Sequence, residues 1–466
     1  PYDLWRSSAM ANAARDPYWR AVVSVEASAT PARKADIERS CNRCHAPMAE
    51  TVPVSPDNAV LSYLQRRDEQ AFLGIDGVSC TVCHQIQPVG LGAPDSFSGG
   101  FRIEDAGEVY GPHLAPFANP MIRHSGYAPT ASDHVLEPAL CGTCHTLYTD
   151  ALAEDGTPTG ERLAEQTPYL EWLNSSFAAE ATRVTCRDCH LPTYDLDGVP
   201  IRTRIAHNPG GRDFPPTDER APFGRHVLVG GNALVPRLLR NAGAAPADAY
   251  DETRARVEEQ LASAARLEVI AIERGDGRLR ADVRVHNLTG HRLPTAHPTR
   301  RLWLAFEVTD ESGTRLFASG LHDDRGRLVD AKGDVLAIER AGGPLAPHRD
   351  RVEADDHVAL YEARMVDAIG RPTWLLTRGA AYAKDDRLLP RGWQPDGPWP
   401  DETKPKGVDG DVDFLGGSDV VHYDVPVELP RGRPFVLRFR LLHQTIGARW
   451  IDELLTLDPA AAKRLR

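Results

Sequence analysis

The C-terminal part of the chain alternates apolar and polar residues with the period of a β-strand. From Leu267 the sequence reads LEVIAIERGDGRLRADVRVHN, and Asp276-Gly277 interrupts the alternation. An Asp-Gly pair between two alternating runs predicts a hairpin turn, because both residues tolerate positive φ angles. The second run predicts a buried face formed by Leu279, Ala281, Val283 and Val285.

Two further runs have the same period. Their predicted inward-facing residues are Leu302, Leu304, Phe306 and Val308 in one run and Phe435, Leu437, Phe439 and Leu441 in the other. Short alternating strands separated by turn residues predict an antiparallel β-sandwich of immunoglobulin-like type over residues 267–466. This region contains no cysteine, nucleophile elbow or phosphate-binding loop, so we expect a structural or docking module.

Helical patterns precede the predicted strands. Residues 247–266 place Val257 and Leu261 on one face among charged residues, which predicts a helical connector within residues 236–266. Residues 1–235 contain two N-cap pairs, Ser55-Pro56 and Thr167-Pro168, and the first predicted helix ends at Gly74. Long loops rich in Gly and Pro separate these helices. The predicted fold class is therefore α+β and multidomain, with a loop-rich, mainly α domain over residues 1–235 before the sandwich.

Composition and charge exclude several classes of protein. The 466 residues carry a formal net charge of -12, and no basic stretch is present, so nucleic acid is not an expected partner. No apolar run approaches the length of a membrane span. The chain is long enough for two or three soluble domains.

All eight cysteines fall into four pairs with two intervening residues. A histidine follows each pair at once, although histidine occupies only 17 of 466 positions. The four motifs are Cys41, Cys44 and His45; Cys80, Cys83 and His84; Cys141, Cys144 and His145; and Cys186, Cys189 and His190. This pattern is typical of c-type haem attachment, and its repetition predicts four haem c groups with iron.

The chemistry of haem attachment requires this spacing. Each thiol adds across one vinyl group of the porphyrin, and the adjacent histidine binds the iron as the proximal ligand. A zinc ribbon needs four ligands around one ion and has no use for a histidine after every pair. A thioredoxin-like dithiol occurs once, in a βαβ unit. Haem is therefore favoured over zinc and over redox dithiols.

Four histidines are candidates for the opposite face of the irons. His124 and His134 precede the third motif, His226 lies in the glycine-containing stretch FGRHVLVGGN, and His291 lies in a loop between two predicted strands. A histidine in this position gives a low-potential electron carrier, a methionine raises the potential, and an open position permits catalysis. Weaker candidates are His113, His207 and His297.

Two methionines lie close to the first motif. Met10 lies on a short helix that is predicted to run from Trp5 to Pro17, and it is a candidate ligand of a haem with a higher potential. Core packing is the more common role of such a methionine. Met48 follows His45 by three residues, on the same side of the ring, so it is excluded as the second ligand of that haem.

An acid-rich stretch, KGVDGDVDFLGG, lies near the C-terminus. Calcium binding is conceivable there, but Val420 stands where an EF-hand loop requires glutamate. A solvated loop is the favoured interpretation.

The stretches around the motifs show a family resemblance. DGVSCTVCHQI, LCGTCHTLY, TPYLEWLNSSF and FGRHVLVGGN resemble multihaem cytochromes of the c-554-like class, which is related to the tetrahaem carriers that take electrons from hydroxylamine oxidoreductase. This resemblance covers about the first 235 residues. NLTGHRLPT, KDDRLLPRGW and LLHQTIGARWIDEL resemble the β domain that often follows such a cytochrome.

The resemblance implies closely stacked haems that form a path for electrons, most of them with two histidine ligands. The class often places a distal histidine in a W..S.HA helix, where this chain has Met10 and Phe177. Phenylalanine cannot bind iron, so one ligand comes from elsewhere or is absent.

We expect an electron carrier rather than an enzyme. It exchanges electrons with other redox proteins or with copies of itself, and a haem-stacked extracellular filament is one possible assembly. The alternative is a haem oxidoreductase that acts on a small nitrogen or sulfur compound at one five-coordinate haem. The acidic charge favours a basic redox partner. Haem c is attached beyond the bacterial inner membrane, so a periplasmic or extracellular location is predicted.

Overall fold

The computed structural model describes residues 2–51, 69–195, 197–204, 217–221, 223–240, 245–428 and 432–457. The predicted helix start at Ser55-Pro56 and the candidate His207 lie outside these ranges. The helices are α1 Tyr2–Trp5, α2 Pro17–Ala29, α3 Lys34–His45, α4 Pro47–Thr51, α5 Glu69–Ile75, α6 Cys80–Gln85, α7 Ala118–Ser125, α8 Pro138–Gly142, α9 Pro168–Leu173, α10 Cys186–His190, α11 Leu234–Leu239, α12 Ala247–Ser263, α13 Pro400–Thr403 and α14 Ala448–Leu457.

The strands lie mostly in the second half of the chain. They are β1 Glu108–Gly111, β2 Ala128–Ala131, β3 Leu147–Leu152, β4 Pro158–Gln166, β5 Ala265–Gly275, β6 Arg278–Asn287, β7 Arg301–Asp310, β8 Arg315–Ser319, β9 Leu321–His322, β10 Leu328–Val329, β11 Arg351–Val352, β12 Leu360–Val366, β13 Pro372–Thr373, β14 Ala381–Asp385, β15 Ser418–Pro426 and β16 Phe435–Gln444. The protein therefore combines helices and sheets, as the α+β prediction requires.

The chain divides into two compact units, and each is assembled from separate segments. Unit 1 comprises Pro1–Val23, Ala35–His145 and Val184–Gln260, and unit 2 comprises Ser24–Lys34, Thr146–Arg183 and Leu261–Arg466. This division differs from the predicted boundary at residue 235, because residues 146–183 belong to the β-rich unit and most of α12 belongs to the haem-motif unit. All four haem motifs lie in unit 1.

The predicted hairpin in unit 2 is confirmed. Strands β5 and β6 pair in antiparallel register, and the turn residues Asp276 and Gly277 have φ angles of 56° and 71°. The predicted inward face of β6 is 0–1% exposed. Local turn chemistry and the period-two pattern therefore determine this element.

Two sheets of unit 2 share one hydrophobic core. One sheet has the order β11-β15-β6-β5, and the other has the order β13-β12-β7-β16, with β14 paired to β12 and β8 paired to β7. Core residues come from both sheets, and the rings of Phe306 and Phe439 stack with centroids 4.4 Å apart. Phe306 and Phe439 both belong to the predicted inward-facing residues of their strands.

Strand β7 is more buried than its alternation predicts. The first eight of its ten residues are all buried. The face opposite Phe306 carries Trp303, which packs with Leu328, Leu336 and Val358 in a second cluster. A loop segment and a short strand therefore cover the face that the sequence pattern leaves to solvent.

The N-terminal segment of unit 1 folds differently from its prediction. Helix α1 ends at Trp5 and the residues after it form turns, so Met10 does not lie on a helix. The Ser8 hydroxyl accepts a hydrogen bond from Ala11 N, and the Asn12 amide donates to the Ser8 carbonyl. Side chains that bond the backbone in this way compete with helix formation.

Helix α12 packs on this N-terminal segment and is thus more than a connector. The Tyr250 hydroxyl donates to Asn12 Oδ1 at 3.2 Å, and the Thr253 and Ser7 hydroxyls are 2.8 Å apart. Val257, on the predicted apolar face, is buried. Within the part of the chain that the structure describes, no helix combines the length and apolar character needed to cross a membrane.

Candidate haem sites

Each attachment motif lies on a helical turn. Helix α3 ends with the first motif, and the second and fourth motifs begin α6 and α10. The third motif starts at Cys141 in α8, and His145 N donates to the Cys141 carbonyl at 2.9 Å, which continues the turn. Residues three and four apart on a helix share one face, so each turn presents both thiols and the histidine on the same side.

Three of the four proximal histidines donate from Nδ1 to a backbone carbonyl. His45 reaches Ala13 O at 3.5 Å, His84 reaches Tyr110 O at 2.5 Å, and His190 reaches Val229 O at 2.6 Å. A neutral imidazole that donates from Nδ1 carries its lone pair on Nε2, which is the atom that a metal ion needs. No residue-type signal in the sequence marks these three carbonyl acceptors.

Burial favours the neutral form of two of these imidazoles. Burial, opposed by the bond to Ala13 and assisted by the nearby His145, lowers the pKa of His45 to about 4. Burial also lowers the pKa of His190. The His45 ring stacks on Trp19 with centroids 4.7 Å apart and planes inclined by 7°. Trp19 is therefore a positioning residue for the first motif, and the sequence did not single it out.

The attachment thiols of different motifs lie next to one another. The Cys44 thiol donates to Cys144 and lowers its pKa, and the Cys186 thiol does the same for Cys141. Burial, followed by the charges of Cys141 and Cys144, raises the pKa of Cys83 to about 12. The third motif thus contacts the first and the fourth and lies near the second.

Gly99 allows the chain to approach this group of thiols. Its N–H donates to Thr143 O, inside the third motif, at 2.8 Å. A Cβ atom on Gly99 would lie 2.7 Å from Cβ of Arg43 and 3.5 Å from Sγ of Cys44. The residue also has a φ angle of +76°, which favours glycine.

We expect Gly99→Ala to destabilise unit 1 by about 1–3 kcal/mol, because the methyl group meets Arg43 and the φ angle is strained. Thermal unfolding of the haem-loaded protein measures this loss. Gly90→Ala is the matched control, since Gly90 has a φ angle of +80° but no described atom within 4 Å of an added Cβ. Equal losses in both variants would show that the approach to Cys44 is unimportant.

The imidazole rings of His84 and His226 lie close together. Their ring centroids are 6.3 Å apart with planes inclined by 30°. Imidazole nitrogens bind metals at about 2 Å, so two rings that share one ion through Nε2 have centroids about 6 Å apart. His226 Nδ1 donates to Gly224 O at 3.0 Å, as His84 Nδ1 does to Tyr110 O. Both lone pairs are therefore on Nε2.

His134 lies near this pair but has other partners. Its Nε2 is 2.9 Å from Ile86 O, and its Nδ1 is 2.7 Å from the Ser132 hydroxyl. The His134 ring meets the Tyr110 ring edge-on, with centroids 4.9 Å apart. Both nitrogens are thus engaged, and ligation by His134 would require the loss of the bond to Ile86.

The other candidate ligands have varied surroundings. His124 is exposed on α7. His291 belongs to unit 2, where its Nδ1 lies 2.8 Å from Arg292 O. Met10 and Cys83 both pack against the cluster that contains Val82. The ligation of all three residues stays a prediction, and Met10 is the one that shares a cluster with an attachment cysteine.

Met48 and Phe177 each contact an identifiable neighbouring residue. The Ser79 hydroxyl donates to Met48 Sδ at 3.0 Å, which places Met48 beside the second motif. Phe177 is in unit 2, where its Cγ and Cβ lie 3.1 and 3.2 Å from the position that a Cβ would take on Gly290. The departure from the W..S.HA pattern at Phe177 is thus a packing contact.

The residues fit haem c. Four helical turns present paired thiols, and three proximal histidines are oriented through Nδ1. No family model and no curated protein matches the chain. Among solved structures, a penta-heme cytochrome c552 from Thermochromatium tepidum is similar, with 15% identity, a TM-score of 0.49, and coverage of 99% of this chain and 92% of that chain. A similarity at this level does not establish a family or a function.

Helix α2, which carries Trp19, offers a test of how the first motif is held. Asp16 Oδ1 accepts hydrogen bonds from Tyr18 N at 2.8 Å and Trp19 N at 3.4 Å and so caps the helix. We expect Asp16→Ala to cost about 0.5–2 kcal/mol, as for other lost N-caps, in thermal unfolding. Asp16→Asn keeps the acceptor and serves as the control.

The pH dependence separates the charge of Asp16 from its capping bonds. Burial raises its pKa from 3.8 to about 6, so the folded state favours the protonated carboxyl. The stability from this group is present below pH 3.8 and is lost as the pH rises through about 6. Asp16→Asn should not show this loss, and an identical decline in both proteins would contradict the assignment.

Proposed function

We propose that this protein is a multihaem c-type cytochrome that transfers electrons through four covalently bound haems. The carrying observation is that four helical Cys-x-x-Cys-His motifs lie together in unit 1, with proximal histidines held through Nδ1. Bound haem supplies a reversible one-electron couple at each site. The protein residues fix the iron ligands, exclude water and hold the groups close together.

Contacts between motifs support transfer from haem to haem. The pairs Cys44–Cys144 and Cys141–Cys186 join the first, third and fourth motifs. Cys83 of the second motif lies near Cys141. Because the attachment points are so close, the haems would lie side by side, with the haem of the third motif at the centre. A carrier that passes electrons within one chain requires this proximity.

The axial ligands favour electron transfer over catalysis. His84 and His226 would hold one iron from both sides, and two histidines give a six-coordinate haem of low potential. An enzyme that acts on a small nitrogen or sulfur compound requires an iron with one open position. Carbon monoxide added to the reduced protein distinguishes these functions, because it binds an open iron.

Counting the covalently attached haems tests the proposed function directly. The protein is produced in a bacterial periplasm with the haem c attachment machinery, and the intact mass is measured after denaturation. We expect the mass of the polypeptide plus four covalently retained porphyrins, and four iron atoms per chain. A chain without covalent porphyrin would overturn the proposal, and a lower integer would correct the number of haems.

Location and assembly form part of the proposal. We infer a periplasmic or extracellular protein, with a basic redox partner that complements the net charge of -12. We also propose that the β-rich unit is an immunoglobulin-like module that supplies contacts to such a partner or to further copies. Electron microscopy of the native protein distinguishes single particles from haem-stacked filaments.

A further inference from the structure

A second group of potential metal ligands lies in unit 2, apart from the haem motifs. His348 precedes β11, Asp411 lies in the acid-rich loop before β15, and Asp419 lies on β15. Each residue offers one ligand atom, and the three atoms all lie within 4.8 Å of one another. This spacing fits donors that surround one ion at about 2.0–2.4 Å.

The imidazole of His348 is oriented by a carboxylate. Its Nδ1 is 2.9 Å from Asp386 Oδ2, and Asp386 is itself held by Glu362 N at 2.8 Å and by Lys384 Nζ at 3.1 Å. His348 Nε2 points to Asp411 Oδ2 at 2.8 Å. A carboxylate on one imidazole nitrogen, with the other nitrogen directed at the site, is the common arrangement of metal-binding histidines.

The loop also positions Asp411. Its Oδ1 accepts hydrogen bonds from Asp413 N and Phe414 N, both at 3.1 Å, so its Oδ2 is turned to His348. The Phe414 ring meets the His348 ring edge-on, with centroids 5.5 Å apart. The two ligands are therefore held before any ion binds.

The surroundings of Asp419 give independent support for a bound cation. The residue is 0% exposed, and Tyr361 donates to its Oδ2 at 2.6 Å. Its Oδ1 is buried and has no hydrogen-bond partner among the described residues, and the same holds for Asp413 Oδ1. A buried carboxylate oxygen without a partner destabilises the folded state, because it loses its hydrogen bonds to water and forms none within the protein.

We propose that His348, Asp411 and Asp419 bind one divalent cation of the first transition row, with water completing the coordination. A site with one imidazole nitrogen and carboxylate oxygens suits zinc or manganese, whereas calcium takes oxygen ligands. The ion would join the acid-rich loop to β15 and to the segment before β11.

The test uses the haem-loaded full chain and zinc as the probe. Protein stripped with a chelator, which leaves the covalently held haem iron in place, is titrated calorimetrically with Zn²⁺ and then with Ca²⁺. We expect one saturable equivalent of zinc and weaker binding of calcium. Asp419→Asn keeps the shape and the acceptor for Tyr361, and it should lower the zinc affinity at least about tenfold. His348→Gln should have the same effect.

Asp409→Asn is the matched control. Asp409 lies in the same loop but is exposed, so its replacement should leave the zinc affinity unchanged. The proposal is overturned if wild type shows no saturable zinc binding, or if Asp419→Asn binds zinc as wild type does. The first result would show that these three side chains hold no ion, and the second would place zinc at surface groups. If Asp419→Asn does not fold, His348→Gln takes its place in the same comparison.

Discussion

Replacing His226 with alanine should open one iron of the four to carbon monoxide. His226 faces His84 at a ring separation of 6.3 Å, and both rings donate from Nδ1 to backbone carbonyls. Removal of one imidazole leaves the iron of the second motif five-coordinate, which permits ligand binding. We expect about one equivalent of carbon monoxide to bind per reduced chain above the wild-type level.

Two further variants make this experiment specific. His134→Ala should not open an iron, because both His134 nitrogens are already engaged by Ile86 and Ser132. His124→Ala tests the prediction for that exposed residue, because a ligand role for His124 would make this variant open a different iron. If His134→Ala opens an iron and His226→Ala does not, the assignment of the second ligand is wrong, although the haem count is unaffected.

Loss of the third motif should damage unit 1 more than loss of the fourth. The double variant C141S/C144S cannot attach the third haem, whose attachment sulfurs lie next to those of the first and fourth motifs. Because a bound porphyrin is a large apolar group, the neighbouring sites lose part of their packing as well. We expect more than one haem to be lost per chain and a lower midpoint of thermal unfolding.

The double variant C186S/C189S is the matched control. It removes the same two thiols from a motif whose sulfur contact is to the third motif. We expect three haems to remain in this variant, as judged by intact mass and by iron per chain. Equal haem loss in the two double variants would show that the third motif has no central role.

The sequence predicted elements that depend on local chemistry. The Asp276-Gly277 hairpin and the inward face of β6 follow from turn preferences and a period of two. The attachment motifs could also be identified from the sequence, since covalent haem chemistry imposes their spacing. These features need no information from distant residues.

Features that depend on distant residues were not predicted. The carbonyls of Ala13, Tyr110 and Val229 hold three histidines, but any residue type can supply a carbonyl. The division into two interleaved units depends on contacts between distant segments. The predicted helix at Met10 was wrong because side-chain bonds of Ser8 and Asn12 outweigh a plausible helical pattern.

The packing of α12 on the N-terminal segment affects the order of events during folding. Ser7 meets Thr253, and Asn12 meets Tyr250, across separations of 246 and 238 residues. Contacts of such long range form late in folding, after the intervening chain has emerged. All four pairs of thiols precede α12 in the chain. For haem attached as we propose, this order keeps each motif accessible until α12 closes unit 1.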